Sequence, residues 1–266
     1  MSRLDPTELR AVTHLAQSAK HGAEGTAIHR PELVVEAPVA IVLNGTTAAV
    51  MMTTPADLED FARGFALTEG YISDPAEIEH LEIVDHEAGI EARLWLPETK
   101  ADAFRERRRI AAGPVGCGLC GIESLEAVHR SLPKVSAALP LTESDILTAL
   151  ESLAAHQPLK DRTRSTHAAG FFQPGRGIRL AREDVGRHNA LDKLIGALSA
   201  TGEDPTSGAV VITSRVSVEL VQKTAIFGAP MLIAASGPTS LAVETAKNAG
   251  ITLIGFCRGG GFERFS

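Results

Sequence analysis

Three short apolar runs in the last sixty residues constrain the fold more than any other feature of the chain. They cover residues 209–213, 231–235 and 251–256, and each has the length of a strand. The stretches between them, residues 217–227 and 239–249, have the length and composition of helices. Alternation of continuously apolar strands with helices predicts right-handed crossovers and a parallel sheet covered on both faces. We therefore expect an α/β fold with a βαβαβ portion at the C-terminal end.

The N-terminal half is hairpin-rich instead. Residues 33–43 and 46–53 flank Asn44-Gly45, the strongest short signal for a hairpin, and residues 80–86 and 90–96 predict a second one. Further predicted elements are helices at 57–71, 98–109, 122–132, 142–156 and 185–200, and a strand pair at 166–172 and 177–181.

No linker divides the chain, so we expect one α/β domain over residues 31–266. Its hairpin-rich lobe would cover 31–135 and its parallel α/β lobe 136–266. Residues 1–30 are polar, and their apolar residues have no regular spacing. This pattern predicts a weakly ordered arm with a short helix over 6–18.

Composition excludes several classes of function. The formal net charge is −7 and aromatic residues make up 4%, which argues against nucleic-acid binding as the main task. No apolar run approaches the ~20 residues of a membrane span. The first residues lack the apolar core of a secretory signal, so we expect a cytoplasmic protein.

Cys117 and Cys120 are the first candidates for chemistry. They lie in a loop, residues 112–121, that contains four glycines and a proline. A predicted helix start just downstream favours the thiolate, which is the reactive form of cysteine. Three interpretations stay open from CxxC alone: a structural zinc site, a redox pair, and a nucleophilic or sulfur-carrying cysteine. The last fits best, because there is no second CxxC and no thioredoxin-like context.

A zinc deaminase is a weaker hypothesis. Such enzymes carry H-x-E before P-C-x-x-C, and here His80 and Glu82 precede the cysteine pair. Pro114 is displaced from the expected position, and both polar residues also fit a half-exposed strand.

Residues 182–193 form a second constellation, because arginine, histidine and asparagine crowd one predicted helix start. With Asp184 as N-cap, Arg187 and His188 would fall in the first turn, where backbone N–H groups attract anions. A solvated amphipathic helix is the alternative.

The third constellation follows from the parallel sheet, in which ligands bind outside the carboxyl ends of the strands. Arg215, Ser236 and Arg258 follow the three apolar runs, and Gly259, Gly260 and Gly261 complete a glycine run. Arginines and uncovered backbone amides predict a phosphate site, although no GxGxxG or P-loop pattern is present. Cys257 is expected to be a buried spectator, and His167 could face the same pocket.

Three blocks resemble a known family. They are Cys117-Gly-Leu-Cys120-Gly, the segment EDVGRHNALDK from Glu183 to Lys193, and the ending TLIGFCRG from Thr252 to Gly259. Together they closely resemble the FdhD-type formate dehydrogenase accessory sulfurtransferases (the FdhD/NarQ sulfur carrier family), from about Leu33 to the end of the chain.

The resemblance implies a cytidine-deaminase-like, three-layer fold without the catalytic zinc, assembled as a homodimer. It implies a sulfurtransferase that takes sulfur from a cysteine desulfurase as a persulfide. The sulfur would pass to Mo-bis(molybdopterin guanine dinucleotide), a cofactor that formate dehydrogenase requires in sulfurated form. By match, Cys117 would carry the persulfide and Cys120 would be accessory.

The molybdenum cofactor would be bound as a substrate, with GDP or GMP as mimics of its nucleotide parts and no metal held by the protein itself. The resemblance places Phe256, Cys257, Arg258, Gly259, Gly260 and Gly261 at this ligand. An acidic protein must concentrate its cations locally to bind several phosphates, and the candidates are Arg187, His188, Lys193, Arg215 and Arg258. Ser236 is added because it ends a parallel strand.

Two departures from the family pattern lie in expected pocket loops. Arg164-Ser165 stands where the family commonly has Gly-Gly, and Ser214 stands in place of a glycine before Arg215. An alternative function also stays open: a non-catalytic cofactor-binding chaperone whose cysteine pair is structural.

Overall fold

The protein folds into two main β-sheets with helices packed on them. The computed structural model describes residues 12–22, 25–111 and 131–266. In these ranges the strands β1 to β14 are Thr13–Leu15, Ser18–Gly22, Gly25–His29, Glu32–Val34, Ala37–Leu43, Thr46–Thr53, His80–His86, Gly89–Trp95, His167–Gln173, Gly177–Asp184, Ala209–Ile212, Met231–Ala234, Thr252–Arg258 and Gly261–Arg264. The helices α1 to α7 are Leu58–Thr68, Glu98–Ala111, Glu143–Ala154, Pro158–Thr163, Arg187–Thr201, Val218–Phe227 and Ser240–Ala249.

The larger sheet has six strands in the order β10-β9-β11-β12-β13-β14. Strands β11, β12 and β13 are mutually parallel, and the other pairs are antiparallel. Every residue of β11 and β12 is buried, which is why these strands are continuously apolar in the sequence. The predicted βαβαβ unit is therefore confirmed.

Helices cover both faces of the six-stranded sheet. On one face Val210 and Leu232 pack with residues of α5, α6 and α7, including Leu194 and Leu220. On the other face the alternate strand residues pack against α3, for example Ile233 against the cluster that contains Leu153. Each such side chain, once fully buried, contributes roughly 1.5–3 kcal/mol to folding.

The smaller sheet has the order β6-β5-β8-β7 and confirms both predicted hairpins. The β5–β6 turn has Asn44 at φ 44° and Gly45 at φ 77°, as the type I′ turn requires. Helix α1 packs Phe61 and Phe65 onto this sheet, which gives the hairpin-rich half a core of its own.

Helices α1 and α5 join the two halves through a very close crossing. A Cβ atom on Gly64 of α1 would overlap the backbone carbonyl of Asp192, and one on Gly196 of α5 would overlap the carbonyl of Asp60. Glycine inside a helix is unfavourable by itself, so the close packing explains both residues.

Several local predictions need correction. The helix expected over 6–18 is wrong for its described part, because Thr13–Leu15 is a strand paired with β4 and Ser18 begins β2. Helix α5 begins after Gly186 rather than after Asp184, which is the last residue of β10. Residues 122–130 of another predicted helix lie outside the described ranges, and residues 131–132 are not helical.

Candidate functional site

One edge of the six-stranded sheet gathers most of the predicted site residues. We call it the carboxyl edge: the ends of β10 to β13 and the start of β9. The pairing of Ile212 with Ala169, and of Asp184 with His167, aligns the start of β9 with the ends of β11 and β10. The edge thus brings together segments that are far apart in sequence, as the ligand-binding edges of open α/β sheets do.

Helix α5 begins at the carboxyl edge, with Arg187 and His188 in its first turn. His188 Nε2 lies 2.9 Å from a carboxylate oxygen of Glu219 and 3.1 Å from the hydroxyl of Ser217. The hydrogen bond from His188 holds the pKa of Glu219 below its ordinary value. Arg187 is half-buried, and its Nε is buried without a hydrogen-bond partner among the described residues. This helix start therefore has an unsatisfied cationic donor, which suits an anion.

Asp184 fixes where α5 starts. Its carboxylate accepts hydrogen bonds from the backbone N–H of Gly186 at 2.7 Å and from Asn189 Nδ2 at 3.0 Å, and it also bonds Thr53 and Thr54 at the end of β6. The predicted N-cap therefore acts from the preceding strand and ties both sheets to the helix.

Lys193 does not belong to the phosphate site, contrary to the sequence prediction. Its side chain is fully buried, and Nζ lies 2.7 Å from Asp184 Oδ2 and 2.8 Å from the carbonyl oxygen of Thr54. The charge is already neutralised inside the protein. The spacing of apolar residues in the sequence does not show that this lysine faces the interior.

A second buried pair follows directly in the same helix. Asp192 lies 3.0 Å from Lys223 Nζ of α6 and accepts a hydrogen bond from the Thr68 hydroxyl at 2.7 Å. Burial lowers the pKa of Lys223, but the carboxylates of Asp192 and Glu69 outweigh this and raise it above its ordinary value. Consecutive residues of α5 thus make separate ion pairs that hold the helix in place.

Glu183 secures the opposite flank of the edge. Its carboxylate accepts from the backbone N–H groups of Leu159 and Lys160 and from the Thr166 hydroxyl, all within 2.9 Å. Burial raises the pKa of Glu183 above its ordinary value despite these bonds. Neighbouring carboxylates at the end of β10 therefore fix the starts of two helices, α4 and α5.

A cleft of about 280 Å³ lies at the carboxyl edge on the α3 side. Its lining residues come from α3, α4 and the strand ends: Leu147, Leu150, Glu151, Ala154, Gln157, Lys160, Thr213, Ala235, Cys257, Arg258, Gly259 and Gly260. The exposed cations Lys160 and Arg258 thus share one concave surface with glycine backbone. Such a combination suits a ligand that is partly apolar and partly phosphorylated.

Phe256 and Cys257 face different surroundings. Phe256 has φ 50°, a strained value for an aromatic residue, and its 40%-exposed ring lies against Gly237, where a Cβ would clash. The Cys257 thiol is buried and lies 3.7 Å from the carbonyl oxygen of Ile146. Burial raises the pKa of Cys257, and the Glu151 carboxylate adds to the effect. Cys257 is thus the buried thiol that the sequence suggested.

Other predicted residues also lie at the edge. Arg215 is exposed just beyond β11, and the carbonyl of Ser236 accepts a hydrogen bond from the Phe256 N–H at 3.2 Å. Gly261 begins the short strand β14. Burial lowers the pKa of His167, and the charges of Arg187 and Lys160 lower it further.

Among the departures from the family pattern, Arg164 has a structural consequence. It caps α4 with φ 57°, in the left-handed region that favours glycine. Ser214 is buried, and its hydroxyl donates to the carbonyl of Arg215.

Cys117 and Cys120 lie outside the described residues. Of the deaminase candidates, His80 packs its ring on Trp95 at 5.1 Å, and Glu82 pairs with Arg93 at 3.2 Å. Within residues 12–22, 25–111 and 131–266, no group of three or more His, Cys, Asp or Glu is arranged to hold a metal ion. Over the same ranges, no helix is long and apolar enough to cross a membrane.

Sequence reasoning missed Glu151, Gln157 and Lys160, which line the cleft from α3, the α3–α4 connection and α4. No motif marks them. Glu183 was the one indication in the sequence. A buried carboxylate needs hydrogen-bond donors from a neighbouring element, and here α4 supplies them.

The family of the chain follows from comparison with known proteins. A sequence model described as the FdhD/NarQ family matches residues 34–266. The chain belongs to the FdhD/NarQ family. The match covers both sheets and every described element of the carboxyl edge.

Individual members of the family are close in sequence. The sulfur carrier protein FdhD of Agrobacterium fabrum is 52% identical over 232 residues, which are 87% of this chain and 86% of that protein. The sulfur carrier protein FdhD of Brucella abortus is 49% identical over 258 residues, 97% and 94% of the respective chains.

A solved structure is similar to this chain in three dimensions. It is a crystal structure assigned as a formate dehydrogenase accessory protein from Desulfotalea psychrophila. The TM-score is 0.75 at 26% sequence identity, over 96% of this chain and 97% of that one.

Proposed function

We propose that this protein is a sulfur carrier for formate dehydrogenase, which receives sulfur on Cys117 and passes it to the guanine-dinucleotide form of the molybdenum cofactor. The observation that carries the proposal is the carboxyl edge: on a chain of net charge −7, it collects Arg187, Arg215 and Arg258 beside a glycine run. Arginine binds phosphate bidentately, and exposed backbone amides complete such a site.

Sulfur loading needs an accessible thiolate. The Cys117 thiolate attacks the outer sulfur of a persulfide on a cysteine desulfurase, and the desulfurase cysteine leaves as a thiolate. A persulfide forms on Cys117 without net oxidation or reduction. The desulfurase and the cofactor must each approach Cys117 in turn. The glycines on both sides of this cysteine leave room for these bulky partners.

Delivery requires two electrons, because the outer persulfide sulfur must leave as sulfide. Attack of the Cys120 thiolate on the Cys117 sulfur releases sulfide to the molybdenum and leaves a Cys117–Cys120 disulfide. The thiols supply the electron pair, and a cellular dithiol then reduces the disulfide. Cys120 is three residues from Cys117, a spacing at which disulfides form readily in redox pairs.

The cofactor is the substrate of this step, and the described residues are suited to hold its nucleotide part. Arg258 and the Gly259–Gly260 backbone would bind phosphate oxygens. The start of α5 adds Arg187 and the His188–Glu219 pair. With the cofactor held at the carboxyl edge, only one sulfur atom has to be transferred to it.

Further parts of the proposal are the cytidine-deaminase-like layering, the homodimer and the cytoplasmic location. Helices on both faces of the six-stranded sheet support a three-layer arrangement. A desulfurase and a cytoplasmic acceptor enzyme would both need access to the cysteine loop.

Mass spectrometry of the loaded protein tests the function. After incubation with a cysteine desulfurase and cysteine, we expect a gain of about 32 Da, one sulfur atom, on the Cys117 peptide. The Cys117→Ala variant should not load, whereas Cys257→Ala should load normally because that thiol is buried. Loading that survives in Cys117→Ala would refute the proposal. About one equivalent of bound zinc in the purified protein would favour the chaperone alternative with a structural cysteine pair.

A further inference from the structure

Strands β1 to β4 form a hairpin arm that is attached to the body of the protein at its base. β1 pairs with β4 and β2 with β3, and a backbone bond from the N–H of Ala16 to the carbonyl of Pro31 joins the two pairs. At the base, Arg162 of α4 donates hydrogen bonds to Glu32 at 2.6 Å and to the Thr13 hydroxyl at 3.0 Å. These contacts fix the direction in which the arm leaves the body.

The outer half of the arm, β2 and β3, is not packed on the body. Among the described strands these two pair only with each other, and no described residue of either belongs to a hydrophobic cluster. Ile28 of β3 is 75% exposed, and Leu15 and Leu33, nearer the base, are also exposed. A two-stranded hairpin without packing is at best marginally stable in water. The arm therefore needs a surface to pack on.

A second exposed apolar patch lies on β6. Among the described strands β6 pairs with β5 alone, so it is an edge of the smaller sheet. Val50 and Met52 are exposed on the sheet face opposite α1, because Met51 between them packs into the core beneath that helix. The sequence of β6, TTAAVMMT, contains no charged residue.

The opposite edge of the same sheet is protected in a way that β6 is not. β7 carries His80, Glu82, Asp85 and His86, and charged side chains keep an edge strand from pairing with another chain. β6 has none over its 8 residues. An uncharged edge of this length with exposed apolar side chains is a surface that natural proteins cover.

We propose that a second copy of the chain covers this edge, with the arm of each protomer lying along β6 of the other. In this arrangement Ile28 of one protomer packs against Val50 and Met52 of the other. The inference rests on the proposed function only for the homodimer, to which it gives an interface.

The argument for a second copy is that one chain carries both halves of the contact. Of the six large apolar side chains exposed in the described ranges, three lie on the arm and two on β6. Ile28 and Val50 are both exposed within a single chain, so the contact is not made internally. Two different patches on one chain can meet reciprocally around a two-fold axis, the commonest symmetry of protein dimers. A different protein would require only one of them.

Sedimentation equilibrium of the full chain tests the inference. We expect a wild-type dimer, and we expect Ile28→Asp and Val50→Asp each to raise its dissociation constant at least tenfold, because a charge replaces a buried apolar side chain. Both positions are exposed in the single chain, so circular dichroism should show an unchanged fold. Val84→Asp is the matched control and should leave the dimer unchanged. Val84 lies in the same cross-strand row as Val50, on the protected edge.

A mixed disulfide identifies the two surfaces directly. In a background of Cys117→Ser and Cys120→Ser, one preparation carries Ile28→Cys and the other carries Val50→Cys. After mixing and treatment with a mild thiol oxidant, we expect a covalent dimer that contains one chain of each kind. Val84→Cys in place of Val50→Cys should give no such product.

A monomeric wild type would overturn the inference, as would a dimer that the three aspartate variants leave unchanged or weaken equally. Cross-linking only between chains of the same kind would also overturn it. Sulfur loading of Cys117 is measured separately. Its failure in a wild-type dimer with this interface would refute the function and leave the interface standing, whereas normal loading without the interface would refute only the inference.

Discussion

The charges buried beneath α5 and the charges at the carboxyl edge come largely from the same short segment, residues 182–193, yet their environments are opposite. Asp184, Asp192 and Lys193 are almost completely buried, and each has an ion-pair partner. Arg187 and His188 lie between them in sequence but reach the edge of the sheet. The difference follows from position along the segment, because Arg187 and His188 are half-buried in the first turn of α5, whereas every residue of this helix from Asn189 to Leu198 is buried.

Residues 182–193 therefore serve two separate tasks: some position α5, and others are available to bind an anion. Burying a charge costs free energy, and a buried pair recovers it only with good geometry and full hydrogen bonding. The buried pairs therefore fix the position of α5 rather than bind ligands. The edge charges keep unsatisfied donors, such as Arg187 Nε, and are available to an anion.

Removing Asp184 should produce the largest effect, because it leaves Lys193 charged and buried without its carboxylate. We expect Asp184→Ala to lower the free energy of unfolding by about 3–5 kcal/mol, measured by urea denaturation. Asp85→Ala, an exposed acid on β7, is the control and should have little effect. A loss below about 1 kcal/mol for Asp184→Ala would show that the buried region does not hold the structure.

Removing Arg258 should affect binding and leave stability intact. We expect Arg258→Ala to weaken GDP binding about tenfold at low salt, because one charge-assisted contact to phosphate is lost. The difference should shrink as ionic strength rises. Arg264→Ala, which changes another exposed arginine on the neighbouring strand β14, should bind GDP as the wild type does. Equal weakening by both variants would indicate nonspecific electrostatic attraction.

Neutralising Glu183 should give the smallest effect, visible mainly as a change in pH dependence. Burial raises the folded-state pKa of Glu183 above the ordinary 4.5. The folded protein then keeps a proton that the unfolded chain has released, so stability falls as pH rises from about 4.5 through the folded pKa. Glu183→Gln should lack this part of the slope in urea denaturation repeated across that range. If the wild type and Glu183→Gln show the same slope, the folded-state pKa of Glu183 is not raised. Glu143→Gln, which changes an exposed acid, is the control.

The sequence predicted the fold well where local pattern and tertiary environment agree. Continuous burial made β11 and β12 recognisable, and Asn44-Gly45 marked its hairpin. The Gly64–Gly196 crossing was not predicted, because close approach of two helices depends on residues more than a hundred positions apart. The strand at Thr13–Leu15 was missed because its partner β4 supplies the pairing.

The candidate site was predicted only in outline. The parallel strands correctly implied one edge for Arg215, Ser236 and Arg258. Lys193 was assigned wrongly, because composition does not show whether a lysine faces solvent or a buried carboxylate. Gln157 was not predicted at the cleft, since its place there depends on how α3 and α4 pack beside the strand ends.

A crystal structure of the protein with bound GDP tests the central claim most directly. The account predicts phosphate oxygens within hydrogen-bond distance of Arg258 and the Gly259–Gly260 backbone, with Lys193 still paired to Asp184. GDP bound away from the carboxyl edge, or phosphates held by a displaced Lys193, would contradict it.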